Sequence, residues 1–211
     1  MTNTIPEPDV AGRVAQQTLA RREAAYASEV RRLLDAALDV MRTCGTTSRP
    51  RVADIVAAAG LSNEAFYRHF HSKDALVATL LEDGAVRLRS YLGHQIAKES
   101  SPEVQVRRWV EGVLAQADEQ IAATTLAVIW NGGTAASGQT SGRHFSSAPV
   151  GTLLHEPFAA LGSSDPELDA ALAAHATFGK LSDYLWLGAQ PSTAEIDHIV
   201  DFCLAAITPR R

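Results

Sequence analysis

The 211-residue sequence predicts an all-α fold, with a small N-terminal three-helix unit followed by a larger helical domain. Three observations carry this reading. Apolar residues recur at intervals of three and four along most of the chain, and no stretch alternates with the period of two that a half-buried strand needs. Gly and Pro fall where helices start or stop rather than in tight hairpins. Hydrophobic residues make up 46% of the chain, enough to build a real core.

Residues 1–12 are polar, contain Pro6 and Pro8, and are expected to be a disordered tail. From Arg13 to Cys44 the chain is Ala-rich and free of Gly and Pro. Val30, Leu34, Ala37 and Met41, with Leu33 and Leu38 beside them, form one apolar stripe and predict an amphipathic helix. Gly45 suits its C-terminal cap, and Pro50 marks the next start. "RVADIVAAAG" is a short helix with Val52, Ile55, Val56 and Ala59 on its apolar side, broken by Gly60. Ser62 caps a second short helix and Ser72 a long one that runs through Leu76, Leu80, Leu81, Leu88 and Leu92.

Beyond residue 100, Ser101-Pro102-Glu103 opens a helix through "VQVRRWVEGVLAQADEQIA", and "TTLAVIW" follows as a short apolar segment. The Gly- and Ser-rich stretch 131–148 reads as a loop or broken helix. "LLHEPFAALG" predicts a short helix interrupted near Pro157. Asp165-Pro166-Glu167 starts a helix to Leu187, stopped by Gly188. Ser192 and Glu195 form a capping box for the last helix. The expected division is a tail at 1–12, a small three-helix unit at 13–75 with an N-terminal helical extension, and a second domain at 76–211.

Composition limits the function classes. No apolar run approaches the ~20 residues of a membrane span, and the N-terminus lacks the apolar centre of a signal peptide. Cys44 and Cys203 have no metal or redox spacing and predict two reduced thiols in a cytoplasmic protein. Neither a metal nor a cofactor is expected. The sequence contains no GxSxG, HExxH, Gly-rich phosphate loop or Cys/His cluster, so an enzyme is the weaker reading. Charge is uneven. Residues 11–75 hold ten Lys/Arg and seven Asp/Glu, whereas 76–211 hold nine and fifteen. The N-terminal third is therefore the part suited to a polyanion.

The two short helices joined by Ala59-Gly60-Leu61 read as a helix-turn-helix. Phe66 and Phe70, four apart, share a face. With Leu61, Ile55 and the stripe of the first long helix they can close a three-helix core. That leaves Asn63, Glu64, Tyr67 and Arg68 facing outward, where amide, carboxylate and guanidinium groups match base edges in the major groove. Lys73 and the amides that follow Ser72 suit a phosphate.

At this point "VADIVAAAGLSNEAFYRHFHSKDAL" resembles the helix-turn-helix signature of the TetR-type transcriptional regulators. The resemblance rests on Asp54, Ile55, Ala59, Gly60, Ser62, Tyr67, Phe70, Ser72, Lys73 and Leu76 and spans about residues 30–80. It implies a homodimer with two DNA-binding heads and a C-terminal effector-binding domain. It assigns base contacts to Asn63 and Glu64, and a base or backbone contact to Tyr67, on the helix capped by Ser62. Flanking phosphate contacts go to Arg68 and His69, and a phosphate clamp to Lys73. The sequence departs from the family near Pro50, where a hydroxyl often caps the helix; the corresponding phosphate contact would fall to Arg51 or Ser48. A small residue is usual where Glu64 stands, and Val56 replaces the usual Ala.

Arg13, Arg21 and Arg22 precede the first core helix. They fit either an arm on the minor groove or backbone, or an exposed helix extension. In the second domain, His175 is the only ionisable residue between Ala170 and Gly179, so this helix must be covered on both sides. The simplest second cover is a partner subunit, with Ile196, Ile199, Val200, Cys203 and Ile207 of the last helix joining a four-helix homodimer interface. The alternative is a helix buried within one monomer. A two-fold dimer would require an inverted-repeat operator with half-sites about one or more turns of ~34 Å apart. Candidate ligand-pocket residues are Trp109, Trp130, Phe145, Phe158, His175 and Phe178, with Asn131 as a polar handle, and each could equally fill the core. The expected function is a repressor released from double-stranded DNA by a small apolar or aromatic effector. The alternative is a constitutive dimeric regulator. Whether it represses or activates depends on operator position and is not written in the chain.

Overall fold

The computed structural model describes residues 10–132 and 147–207. Every regular element among them is helical. The first helix, α1 (Val10–Cys44), is 35 residues long, but only its second half carries buried side chains: Leu33, Leu34, Ala36, Ala37 and Met41. It begins at Val10, so residues 10–12, expected in the tail, are already helical; residues 1–9 lie outside the described part. The helix continues through this polar, Ala-rich sequence because no Gly or Pro interrupts it after Gly12.

Next come α2 (Val52–Ala59), α3 (Asn63–His69) and α4 (Lys73–Ile96). Their boundaries follow local chemistry. Asp54 accepts the Arg51 backbone N–H at 2.7 Å, so a carboxylate serves the start of α2 where the expected hydroxyl is missing. Gly60 takes φ of 62°, a left-handed conformation that a Cβ disfavours. The Ser62 and Ser72 hydroxyls accept from the amides of Ala65 and Ala75, at 3.1 and 3.0 Å. From α1, the Arg32 guanidinium donates to the carbonyls of Ala59 and Gly60 at 2.6 and 3.0 Å, tying the turn to the long helix. Gly60→Ala is expected to cost the head about 1–2 kcal/mol, from the left-handed strain alone. Its Cβ would also come 3.2 Å from Arg32 Nη2. Urea denaturation followed through α1–α3 measures the loss.

Helix α5 (Pro102–Leu114) is capped by Ser101. The single helix expected through residue 122 is instead broken. A 3-10 turn at Ala115–Ala117 and an extended Asp118, whose carboxylate accepts from the Gln120 amide, separate it from α6 (Glu119–Gly132). "TTLAVIW" is thus the body of α6. After the undescribed residues come α7 (Ala148–Gly151), a 3-10 turn and α8 (His155–Ala160). Pro157 does not interrupt α8. It sits in the first turn, where its missing N–H costs nothing. Helix α9 (Pro166–Leu187) is stopped by Gly188 at φ 62°, and α10 (Thr193–Ala205) opens on the Ser192/Glu195 capping box, all as the sequence predicts.

Two apolar cores result. The first joins Leu33, Ala37, Met41, Ile55, Phe66 and Phe70 to Leu76, Val77 and Leu80 of α4, and to Ala127 and Val128 of α6. The second is built on Leu92, Trp109, Val113, Leu154, Phe158, Phe178, Leu181 and Val200. The first core therefore reaches into α4 as far as Leu80, and the second takes up the same helix from Leu92. One continuous helix contributes a turn or two to each core, which no break in the sequence could signal.

Candidate DNA-binding surface and effector cavity

In α3 the periodicity of the helix sorts the residues as expected. Phe66 is fully buried and Phe70 nearly so, with ring centroids 5.8 Å apart. Asn63, Glu64, Tyr67 and Arg68 are exposed. Tyr67 stands edge-on to Phe66 at 5.2 Å while 58% of it remains accessible. The outward residues therefore ride on a helix that the inward aromatics hold in place. Ser48 and Arg51 are also exposed, at the entrance to α2.

One expected phosphate contact, His69, needs correction, and a second, Lys73, has partners within the chain. The His69 side chain is fully buried: its Nε2 donates to Glu29 Oε2 at 2.7 Å, and its ring meets Tyr26 edge-on at 4.2 Å. It cannot reach a phosphate, because it is the joint between α3 and α1. Lys73 is half-buried, and its ammonium donates to the Pro50 carbonyl at 3.3 Å and faces Asn131 Oδ1 at 3.4 Å. Burial holds its pKa below the usual lysine value. Packing against α6 brings one of these partners, Asn131, to the ammonium.

Glu29 ties this joint together. The bond from His69, then the nearby charge of Arg68 (3.6 Å), pulls its pKa below the ordinary carboxylate value. A carboxylate depressed in the folded state stabilises above its unfolded pKa, and that contribution is lost as pH falls through the lower, folded pKa. The expected result is that Glu29→Gln lowers the melting temperature at neutral pH and that its deficit shrinks below the ordinary carboxylate range. Thermal melts of both proteins across an acid series check this.

One cavity among the described residues lies apart from most of the positions that the sequence suggested. A space of about 450 Å³ opens between α1, α4, α6 and α9. Its walls are Leu38, Leu80, Leu81, Leu88, Ile121, Val128, Val150 and Phe178, with polar atoms from Asp83, Arg87, Tyr91, Gln116, Thr124 and Thr125. Of the sequence candidates among the described residues, only Phe178 lines it. Trp109 is fully buried in the second core, its indole N–H donating to the Val150 carbonyl at 2.9 Å, and Phe158 is fully buried too. His175 is exposed on α9, with Nδ1 2.6 Å from the Ala171 carbonyl. Phe145 lies outside the described residues. The sequence missed the lining of α4 and α6, where the adjacent hydroxyls Thr124 and Thr125 in an apolar helix were the available signal.

Trp130 and Asn131 also have a different place. The Trp130 ring lies 5.4 Å beneath the Arg49 guanidinium. Asn131 is fully buried, its amide donating to the Ala127 carbonyl at 2.8 Å and its oxygen facing Lys73. The end of α6 thus touches the entrance of α2 and the start of α4.

On α9, Ala170, Ala173, Ala174, Thr177, Phe178 and Leu181 face inward, while Leu168 and Leu172 are 53% and 57% exposed. Ile199, Val200, Cys203 and Ile207 of α10 are buried within this chain, and Ile196 is half-buried, so these residues do not form the outer face. Phe202 does, at 55% exposure. Among the described residues there is no group of His, Cys, Asp and Glu that could hold a metal, and no helix long and apolar enough to cross a membrane.

The architecture is that of a helix-turn-helix protein carrying a larger helical domain. Residues 33–80 match the pattern of the bacterial regulatory proteins of the tetR family. The fold resembles a TetR-family transcriptional regulator from Mesorhizobium loti MAFF303099, at 18% identity and a TM-score of 0.62, covering 86% of this chain and 96% of that one. It also resembles the fatty acid degradation regulator FadR of Bacillus halodurans (16%, TM-score 0.60, 86% and 97%). A third likeness is FadR of Bacillus subtilis, solved in complex with stearoyl-CoA (16%, TM-score 0.57, 85% and 98%). No curated protein sequence matches the chain. Residues 33–80 thus carry the helix-turn-helix pattern of that family, and the chain as a whole shares the fold of these regulators.

Proposed function

We propose that the protein is a dimeric repressor that holds an inverted-repeat operator and releases it when a small, mainly apolar or aromatic effector enters the cavity between α4 and α6. The observation that carries this reading is α6 itself. Ile121, Thr124, Thr125 and Val128 line the cavity, and one turn further on Trp130 and Asn131 touch Arg49 and Lys73 at the DNA-binding head. A ligand that fits only one placement of α6 would also choose one placement of those cations. The coupling expected of such a device is ~1–3 kcal/mol, or about 5- to 150-fold in operator affinity. Residues 13–75 with the first turns of α4 act as the head, and the remainder to residue 211 as the effector and dimer body, in the cytoplasm where bacterial DNA lies. Asn63, Glu64, Tyr67 and Arg68 read the site, and Ser48, Arg51 and the α3 start at Ser62 position the backbone.

The dimer reading rests on the outward stripe of α9, where Leu168, Leu172 and Trp186 are more than half exposed, together with Phe202 of α10. Apolar side chains left in a row on two adjacent helices suit a second copy of the same face.

Selection of bound duplexes from a random pool tests the class: an inverted-repeat consensus is expected, and a consensus without two-fold symmetry would overturn it. Leu172→Asp with Phe202→Asp should convert the dimer to a monomer in sedimentation and abolish the preference for two half-sites over one. For the effector, apolar and aromatic compounds that raise the melting temperature are titrated against the complex with the selected duplex. If saturating amounts of every such compound left affinity unchanged, the constitutive alternative would stand.

A further inference from the structure

We propose that residues 13–28, the N-terminal half of α1, form an arm that lies on the DNA flanking each half-site and adds phosphate contacts outside the reach of the helix-turn-helix. The inference rests on the reading of α3 as the recognition helix and extends the interface beyond it.

Every side chain from residue 13 to residue 28 is exposed. At 1.5 Å per residue this is about 24 Å of helix standing clear of the core. A helix of that length is marginal in water by itself, so a surface that covers it would stabilise it. Its base fixes its direction of departure. Tyr26 contacts His69, and Glu29 binds His69 and Arg68, all at the C-terminal end of α3. The arm therefore leaves the domain beside the C-terminal end of α3.

Its charge identifies the occupant. The segment carries Arg13, Arg21 and Arg22 against a single acid, Glu23. Elsewhere in α1 the arginines are committed: Arg31 to Asp83, Arg42 to Asp39 and Arg32 to two carbonyls. Among the described residues Arg13, Arg21 and Arg22 make no ion pair. Three uncommitted cations on a helix continuous with the DNA-facing surface match a phosphate backbone. Arg13 and Arg21 lie about 12 Å apart along the axis, far enough to engage separate phosphates.

The test compares the full-length protein with a variant carrying Arg13→Ala, Arg21→Ala and Arg22→Ala, and with one carrying Lys at the three positions. Alanine keeps the helix, so folding is preserved. The probe is the duplex recovered by random-pool selection, with long flanks. The alanine variant should keep its sequence preference and lose backbone protection outside the half-sites. Its slope of log affinity against log salt should fall by about 0.9 for each phosphate released, up to about 2.7 for three. The lysine variant should keep most of the slope. Unchanged slope and unchanged protection would overturn the arm. So would a variant that shifts the oligomeric state in the absence of DNA, which would mean that the arms pair with one another. If the parent protein selected no duplex at all, the failure would be that of the regulator reading itself.

Discussion

Replacing Asn63, Tyr67 and Arg68 together by alanine is expected to abolish sequence-selective duplex binding and leave the protein folded. All three are exposed on the outer face of α3. A good base-edge contact discriminates by ~1–3 kcal/mol, so losing even two of them lowers selectivity by roughly a hundred-fold. The folded state loses little: substitutions on an exposed surface cost about 0.5 kcal/mol or less, and the Arg68–Glu29 pair is half in solvent and worth at most about 1 kcal/mol. Competition binding with selected and scrambled duplexes, alongside thermal melts, separates the two effects. A variant that still preferred the selected sequence would remove the recognition role from this face.

Phe66→Ala, one residue from Tyr67, should do the reverse. Phe66 is fully buried and packs against Phe70 in the first core. Removing a buried ring costs about 3–5 kcal/mol, because the surrounding helices cannot collapse into the space. Set against total stabilities of roughly 5–15 kcal/mol, that is enough to leave the head substantially unfolded. The second core is separate, so the loss should be local. Hydrogen exchange is expected to show lost protection in α2 and α3 and retained protection in α5. Phe66→Leu should recover most of the stability and the DNA binding with it. An alanine variant that melted like the parent would contradict the anchoring role of the inward aromatics.

Much of the head was legible in the sequence because its signals are local. The turn needs a residue that tolerates positive φ, and Gly60 stands there. Helix starts need an acceptor side chain, and Ser62, Ser72 and Ser192 supply it. A 3.6-residue period assigns Phe66 and Phe70 to one side and Tyr67 to the other. The helix pattern beyond residue 160 was equally plain from Pro166, Gly188 and the Ser192/Glu195 pair.

The misplaced residues fail for one shared reason. His69 looks like a polar residue near DNA until Glu29, forty positions earlier, proves to be beside it. Trp109 and Phe158 have the chemistry of pocket walls, and so do core residues. Only the approach of helices from distant parts of the chain decides which is which. Local backbone and capping chemistry acts over three or four residues and is written in order along the sequence. Burial and the position of the cavity depend on which faces of α1, α4, α6 and α9 meet, and that choice is made by the whole fold at once.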